Sequence, residues 1–203
     1  MMKRFLILFL LLINIDANSQ NPDIRLLRAI NSPGTLAADN FFRFISNSDA
    51  FVVAAVPAGI AATGWLRHDK GLIRNACVIA AGSVISFALT NGLKYTINRD
   101  RPFVTYPDIT KKTKAGSPSF PSGHTSSSFG TATSLSLEYP KWYVIAPSFL
   151  YAGTVAYSRM ELGVHYPSDV LAGAVIGSGC AYLTWMVNQK LLVKKKHKAC
   201  GCP

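Results

Sequence analysis

Residues 158–169 read SRMELGVHYPSD, placing an arginine, a histidine and an aspartate on either side of a short turn. Pro167 suits the first turn of a helix, so Asp169 falls inside that turn and His165 just before it. A carboxylate there caps backbone N–H groups, and it also lies within reach of one imidazole nitrogen. Held in that way, His165 has a fixed tautomer and a second nitrogen free to attack an electrophile.

Two further stretches suit the same chemistry. In KYTINRDRP, Lys94 and Arg101 are seven residues apart, nearly two helical turns, which brings both cations to one side about 10 Å apart if the segment is helical. Pro102 disfavours helix at Arg101 and puts that arginine where the helix ends. Basic residues at a helix C-terminus also suit the dipole, so the pair has a structural reading as well. In SPSFPSGHTSSS, a turn at Pro121, Ser122 and Gly123 opens a helix carrying His124 near its start. Backbone N–H groups at such a turn, with a hydroxyl beside them, suit an anion. An ordinary helix start explains the turn too, but leaves His124 without a purpose.

These motifs sit in a chain of 203 residues that is 49% hydrophobic and 15% charged, with 21 Lys plus Arg against 10 Asp plus Glu and a net charge of +11. The first 19 residues combine basic Lys3 and Arg4, an apolar run and small Ala17 and Ser19, the pattern of a signal peptide or an uncleaved first anchor. Apolar stretches follow at Phe51–Trp65, Ile73–Leu93, Phe129–Leu137, Trp142–Tyr157 and Val170–Val187. A bilayer span takes about 20 apolar residues, so the second and fifth qualify and the others are short. The third, with its flanks, is rich in Ser, Thr, Gly and Ala, which suits a helix shielded inside a bundle. Strand-type alternation is scarce. The expected fold is therefore all-α: a helical bundle over residues 20–190 with five spans, six if the leader is retained, and a basic tail at 191–203. Residues 21–50 read as two amphipathic helices broken at Pro33 and Gly34.

The basic connection Leu66–Arg74 and the lysine-rich tail belong on the cytoplasmic side by the positive-inside rule. Five spans starting outside satisfy both, and the same topology brings Lys94, Arg101, His124, Arg159, His165 and Asp169 to the outer face. That places the site at the periplasmic side of a bacterial-type inner membrane. Tail, inner loop and pocket account for much of the positive charge, so a nucleic-acid partner is not expected. Cys77 and Cys180 read as buried small residues, and Cys200 and Cys202 as a C-x-C tail in a reducing compartment.

K-x6-RP from Lys94 to Pro102, PSGH from Pro121 to His124, and SR-x5-H-x3-D from Ser158 to Asp169 together resemble the three-part signature of the type 2 phosphatidic acid phosphatase superfamily. That superfamily also includes class A acid phosphatases and vanadium haloperoxidases. The resemblance implies that His165 attacks phosphorus with Asp169 orienting it, and that His124 protonates the leaving oxygen. It implies further that Lys94, Arg101, Arg159, Ser122 and Gly123 hold the phosphate oxygens, with no metal or other cofactor. The implied substrate is a lipid phosphate or diphosphate at a membrane: undecaprenyl pyrophosphate, a phosphatidylglycerol phosphate, phosphatidic acid or a lipid A phosphate. The alternatives within the superfamily are a soluble periplasmic acid phosphatase and, further off, a vanadate-dependent haloperoxidase. The loop Phe103–Phe120 is expected over the pocket, where Lys111, Lys112 and Lys114 either favour a polyanionic substrate or are simply solvated.

Overall fold

The computed structural model describes residues 21–200 and is helical throughout, with no strand among those residues. The expected leader at 1–19 lies outside the described residues, as do Cys202 and the side chains of the basic tail from residue 193, Cys200 included. In chain order the helices are α1 Pro22–Ile30, α2 Leu36–Leu66, α3 Lys70–Ile97, the single turn α4 Pro102–Thr105, α5 Gly123–Glu138, α6 Trp142–Glu161 and α7 Pro167–Cys200.

Local sequence chemistry fixes the helix starts. Asn21 accepts from the Asp23 N–H at 3.0 Å and Thr35 from the Ala38 N–H at 3.3 Å. Asp69 accepts from the N–H groups of Gly71 and Leu72 at 2.7 and 3.2 Å. Each such cap satisfies donors that have no partner within the helix. At the other end of α3, Asn98 takes the left-handed conformation (φ 47°) and stops the helix before Arg99. Lys94 therefore sits in the last helical turn, whereas Arg101 lies beyond it, as the residue that starts α4.

The break expected at Pro33 and Gly34 is present. Its second helix, however, is not separate: it continues into the first apolar stretch as α2, 31 residues long. At about 1.5 Å per residue that is about 47 Å of helix, amphipathic near the site and apolar beyond it. Three of the described helical segments, Leu36–Leu66, Lys70–Thr105 and Pro167–Leu192, are long and apolar enough to cross a membrane. The other two expected spans correspond to α5 and α6. Cys180 is buried as expected, but Cys77 is exposed on α3.

The polar helix α5 occupies the middle of the bundle, packed most extensively against α7 and then against α6 and α3. Most of its hydroxyls find partners inside the protein, Thr131 being a buried exception among the described residues. Ser128 and Ser136 donate to carbonyls one turn back, those of His124 and Ala132. Ser126 meets Ser86 at 2.7 Å and Thr90 at 3.0 Å, and Thr133 reaches Ser178 on α7 at 3.0 Å. The α5–α7 contact is close because α7 presents Gly173 and Gly177, one turn apart. A Cβ added at Gly177 would lie 2.0 Å from the Ser126 carbonyl oxygen, and one at Gly173 would lie 2.6 Å from that of Ser122. Small residues four apart permit this approach between membrane helices.

The burial pattern is inverted relative to a water-soluble bundle. Ser46, Asp49, Ser86, Thr90, Lys94, Ser126 and Arg159 are buried, while Phe51, Val84, Phe87, Leu150, Leu171, Val175 and Leu183 are exposed. Trp65, Trp142 and Tyr143 are exposed at the end formed by the α2–α3 and α5–α6 connections, and Tyr95 at the opposite end. An apolar outer surface with aromatic residues at both ends suits a lipid environment.

Replacing Gly177 with alanine forces backbone against backbone, and overpacking of this kind costs about 3 kcal/mol. Gly177→Ala is expected to lower the thermal unfolding midpoint of the detergent-solubilised protein by several degrees. An unchanged midpoint would show that α5 and α7 are further apart than described.

Candidate active site

Four helix ends converge at one end of the bundle: the C-termini of α3 and α6 and the N-termini of α5 and α7. Between them lies a cavity of about 530 Å³ whose walls include Lys94, Arg101, Gly123, His124, Arg159 and His165. Six of the eight residues singled out by the sequence thus face one space. The other two, Ser122 and Asp169, are fully buried just behind it.

The three expected cations are held in place by oxygen atoms of neighbouring segments. Lys94 Nζ donates to the Pro118 carbonyl at 2.7 Å. Arg101 donates through Nε to the Ser117 carbonyl at 2.7 Å and through one terminal nitrogen to that of Val164 at 2.9 Å. A guanidinium nitrogen of Arg159 donates to Ser46 Oγ, while its Nε is buried without a hydrogen-bond partner among the described residues. The loop ahead of α5 is therefore the frame for two of the cations. Its peptide Phe120–Pro121 is cis. Lys114, Ala115, Gly116 and Ser117 from the same loop line the cavity, so the loop does overhang the site.

Of the three loop lysines, only Lys114 faces the cavity. Lys112 is buried away from it between Glu161 at 2.6 Å and Asp39 at 2.9 Å. Burial by itself would lower its pKa, but those two carboxylates raise it instead. Lys111 rests over the Phe103 ring, 4.5 Å from its centre. Gly163, at φ 70°, closes the turn before His165 against the Thr110 carbonyl, where a Cβ would lie 2.3 Å away.

Asp169 caps the backbone as the sequence allows, and it lies beside the imidazole. Its Oδ2 accepts the Tyr166 N–H at 2.9 Å, the reach-back contact of a capping box. The same oxygen lies 3.5 Å from His165 Nδ1, which is near enough for attraction but does not complete a hydrogen bond. Such contacts commonly tighten when substrate arrives. Ser119 Oγ donates to Oδ2 at 2.5 Å and Arg99 to Oδ1 at 2.6 Å.

Arg99, Ser119 and Asp23 escaped the sequence reading. Arg99 bridges Asp169 to Asp23 on α1 at 2.9 Å, its guanidinium 3.9 Å from the centre of the Tyr166 ring. Asp23 also accepts from the backbone and side chain of Ser168 at 2.8 and 2.5 Å. The signal in the sequence was slight: Arg99 is one of three charged residues in a row, and its partners lie 70 and 76 positions away. Ser122 Oγ shares a 2.9 Å hydrogen bond with Thr125 Oγ1. Among the described residues, no group of three or more His, Cys, Asp or Glu is gathered to hold a metal ion.

Burial of the His165 ring, reinforced by Arg159 and Arg101 and opposed by Asp169, pushes its pKa from 6.5 to about 3. The ring is thus neutral and nucleophilic over the whole physiological range. In the unfolded chain it takes a proton near 6.5, so unfolding binds a proton anywhere between about 6.5 and about 3. Stability contributed by the neutral ring is complete above pH 6.5 and is lost as pH falls through that window. The unfolding midpoint of the wild type should drop more steeply between about pH 6.5 and 4 than that of His165→Asn, which has no titrating ring. Parallel curves would show that the folded protein does not hold the imidazole neutral.

Comparison with known proteins assigns the chain to a family. Residues 75–192 match the model of the PAP2 superfamily. An undecaprenyl-diphosphatase of Sulfolobus acidocaldarius is 30% identical over 196 residues, covering 94% of this chain and 92% of the relative. A decaprenylphosphoryl-5-phosphoribose phosphatase of Mycolicibacterium smegmatis is 33% identical over 144 residues, 70% of this chain and 72% of the relative. The crystal structure of Aquifex aeolicus LpxE superposes with a TM-score of 0.69 at 27% identity, over 85% of this chain and 97% of that one. With its family match spanning α3 to α7 and the three motifs meeting at one cavity, the chain belongs to the PAP2 superfamily.

Proposed function

We propose that the protein is a membrane-embedded phosphatase that removes phosphate from a lipid phosphate or diphosphate through a phosphohistidine. The observation that carries this reading is the meeting of Lys94, Arg101, His124, Arg159 and His165 around one cavity, at the end of a bundle with a polar interior and an apolar surface.

In the first step His165 Nε2 attacks phosphorus while Nδ1 faces Asp169, which stabilises the positive charge that the ring acquires. The bond from phosphorus to the leaving oxygen breaks, and that oxygen takes a proton from His124. In the second step His124 accepts a proton from water, the hydroxide oxygen bonds to phosphorus, and the phosphorus–nitrogen bond breaks to release inorganic phosphate and free His165. Lys94, Arg101 and Arg159, with Gly123 at the start of α5, hold the equatorial oxygens, while Ser122 stands behind the cavity and supports that turn through Thr125. Phosphoryl transfer needs little else from a protein than positioning and compensation of charge on those oxygens.

All five long helices cross the bilayer in this reading, with α5 and α6 shielded by contact with their neighbours. The cavity then faces the periplasm, because the basic connection Leu66–Arg74 lies at the other end of the bundle. The apolar outer surface favours this reading over a soluble periplasmic acid phosphatase. Undecaprenyl diphosphate, phosphatidylglycerol phosphate, phosphatidic acid and lipid A phosphate are the substrates to compare.

The test is phosphate release from each of these lipids in detergent micelles. His165→Ala is expected to lose at least about a thousandfold in kcat and all trapped phosphoenzyme. His124→Ala is expected to lose about a hundredfold or more on lipid substrates, yet still to form phosphoenzyme from an ester with a good leaving group. Near wild-type turnover by His165→Ala would overturn the assignment of the nucleophile. Activity released from membranes by a salt wash without detergent would overturn the embedded topology.

A further inference from the structure

The cavity is lined by four cationic residues, Lys94, Arg101, Lys114 and Arg159, and by one acid, Asp49. Asp49 is 3% exposed and sits on α2 one turn beyond Ser46, the residue that receives Arg159. Its Oδ2 accepts from Ser127 Oγ at 2.6 Å. Its Oδ1 is buried with no hydrogen-bond partner among the described residues. A carboxylate placed there weakens the pocket's attraction for an anion, and an unmade hydrogen bond to a buried carboxylate oxygen is costly. The second effect is relieved by a ligand that brings a donor.

The position of Asp49 indicates which part of a ligand that is. The cavity extends inward from the phosphate cradle along α3, from Lys94 through Thr90 and Ser86 to Ser83, about 16 Å of helix. Asp49, Ala50 and Val53 form the facing wall. This inner part receives the group from which phosphate is removed. Several of its other polar groups are already engaged, since Ser86, Thr90 and Ser126 bond to one another at 2.7 and 3.0 Å. Asp49 Oδ1 is the buried carboxylate oxygen left without a donor among the described residues.

We propose that Asp49 determines specificity by accepting a hydrogen bond from a hydroxyl on the leaving group, next to the phosphate-bearing carbon. The preferred substrate class is then a phosphate monoester of a sugar or polyol lipid. A diphosphate is disfavoured, because its second phosphate would sit beside the carboxylate. This rests on the phosphatase reading and narrows its substrate.

The experiment compares substrates that differ by one hydroxyl: 1-acyl-glycerol 3-phosphate, and its analogue lacking the free hydroxyl on the central carbon. Farnesyl diphosphate is the third substrate. The quantity read is the ratio of kcat/KM values measured on one preparation, which does not depend on how much of that preparation is folded. The wild type is expected to prefer the hydroxylated lipid by about tenfold or more, the size of a charge-assisted hydrogen bond. Asp49→Ala should abolish that preference, Asp49→Asn should reduce it, and Asp49→Asn should raise kcat/KM for farnesyl diphosphate relative to the deoxy analogue. Ratios that are the same in wild type and variants would overturn the proposal, leaving Asp49 as an electrostatic partner of Arg159 and the phosphatase reading intact. A wild type that prefers the deoxy analogue or the diphosphate would overturn it as well. No phosphate release from any of the three substrates would overturn the phosphatase reading and this inference together.

Discussion

A carboxylate with no exposure to solvent must be surrounded by donors, and at Asp169 that requirement organises the site. The four groups facing its oxygens come from three parts of the chain: Arg99 from beyond α3, Ser119 from the loop ahead of α5, and the Tyr166 N–H and His165 ring from the turn before α7. Removing any one of them leaves charge or polarity uncompensated in a dry environment, at a cost of several kcal/mol. The carboxylate therefore fixes the place where three chain segments meet, with the imidazole beside it. Through Arg99 the arrangement extends to Asp23, which ties the amphipathic helix α1 over the outside of the site.

The same economy explains how cations can be held together around one cavity. Lys94 and Arg101 direct donors at the carbonyls of Ser117, Pro118 and Val164, and Arg159 uses Ser46. These partners are neutral, so they lower the cost of burial without neutralising the charge. The positive field of the cavity is kept. Lys112 shows the contrast: it is paired with Glu161 and Asp39, so its charge is spent on joining α2, α6 and the loop.

Polarity inside and apolar surface outside are two aspects of one constraint. In hydrocarbon there is no water to satisfy a backbone or hydroxyl group, so helices are the natural element and their serines and threonines turn inward. α5 carries this furthest, with most of its hydroxyls bonded to carbonyls one turn back or to neighbouring helices. Its small side chains let α7 approach at Gly173 and Gly177, and that approach brings the N-termini of both helices, and with them His124 and His165, to the same end.

The sequence by itself determined what depends on neighbours along the chain: the helical class, the break near Pro33, the caps, the start of α7 at Pro167, and the three motifs. Alternation of basic connections and apolar stretches also sufficed to place those motifs at one end, because direction reverses with each helix. What it did not determine was how α2 joins its amphipathic first half to an apolar second half, since each half has its own periodicity and nothing between them breaks the helix. Nor did it distinguish Lys112 from Lys114, two residues apart, one locked in a buried ion cluster and the other facing the cavity. Arg99, Asp23, Ser119 and Asp49 acquire their roles only through partners tens of residues away. Their significance lies in desolvation and in the geometry of charge pairing, which exist only once the helices have packed.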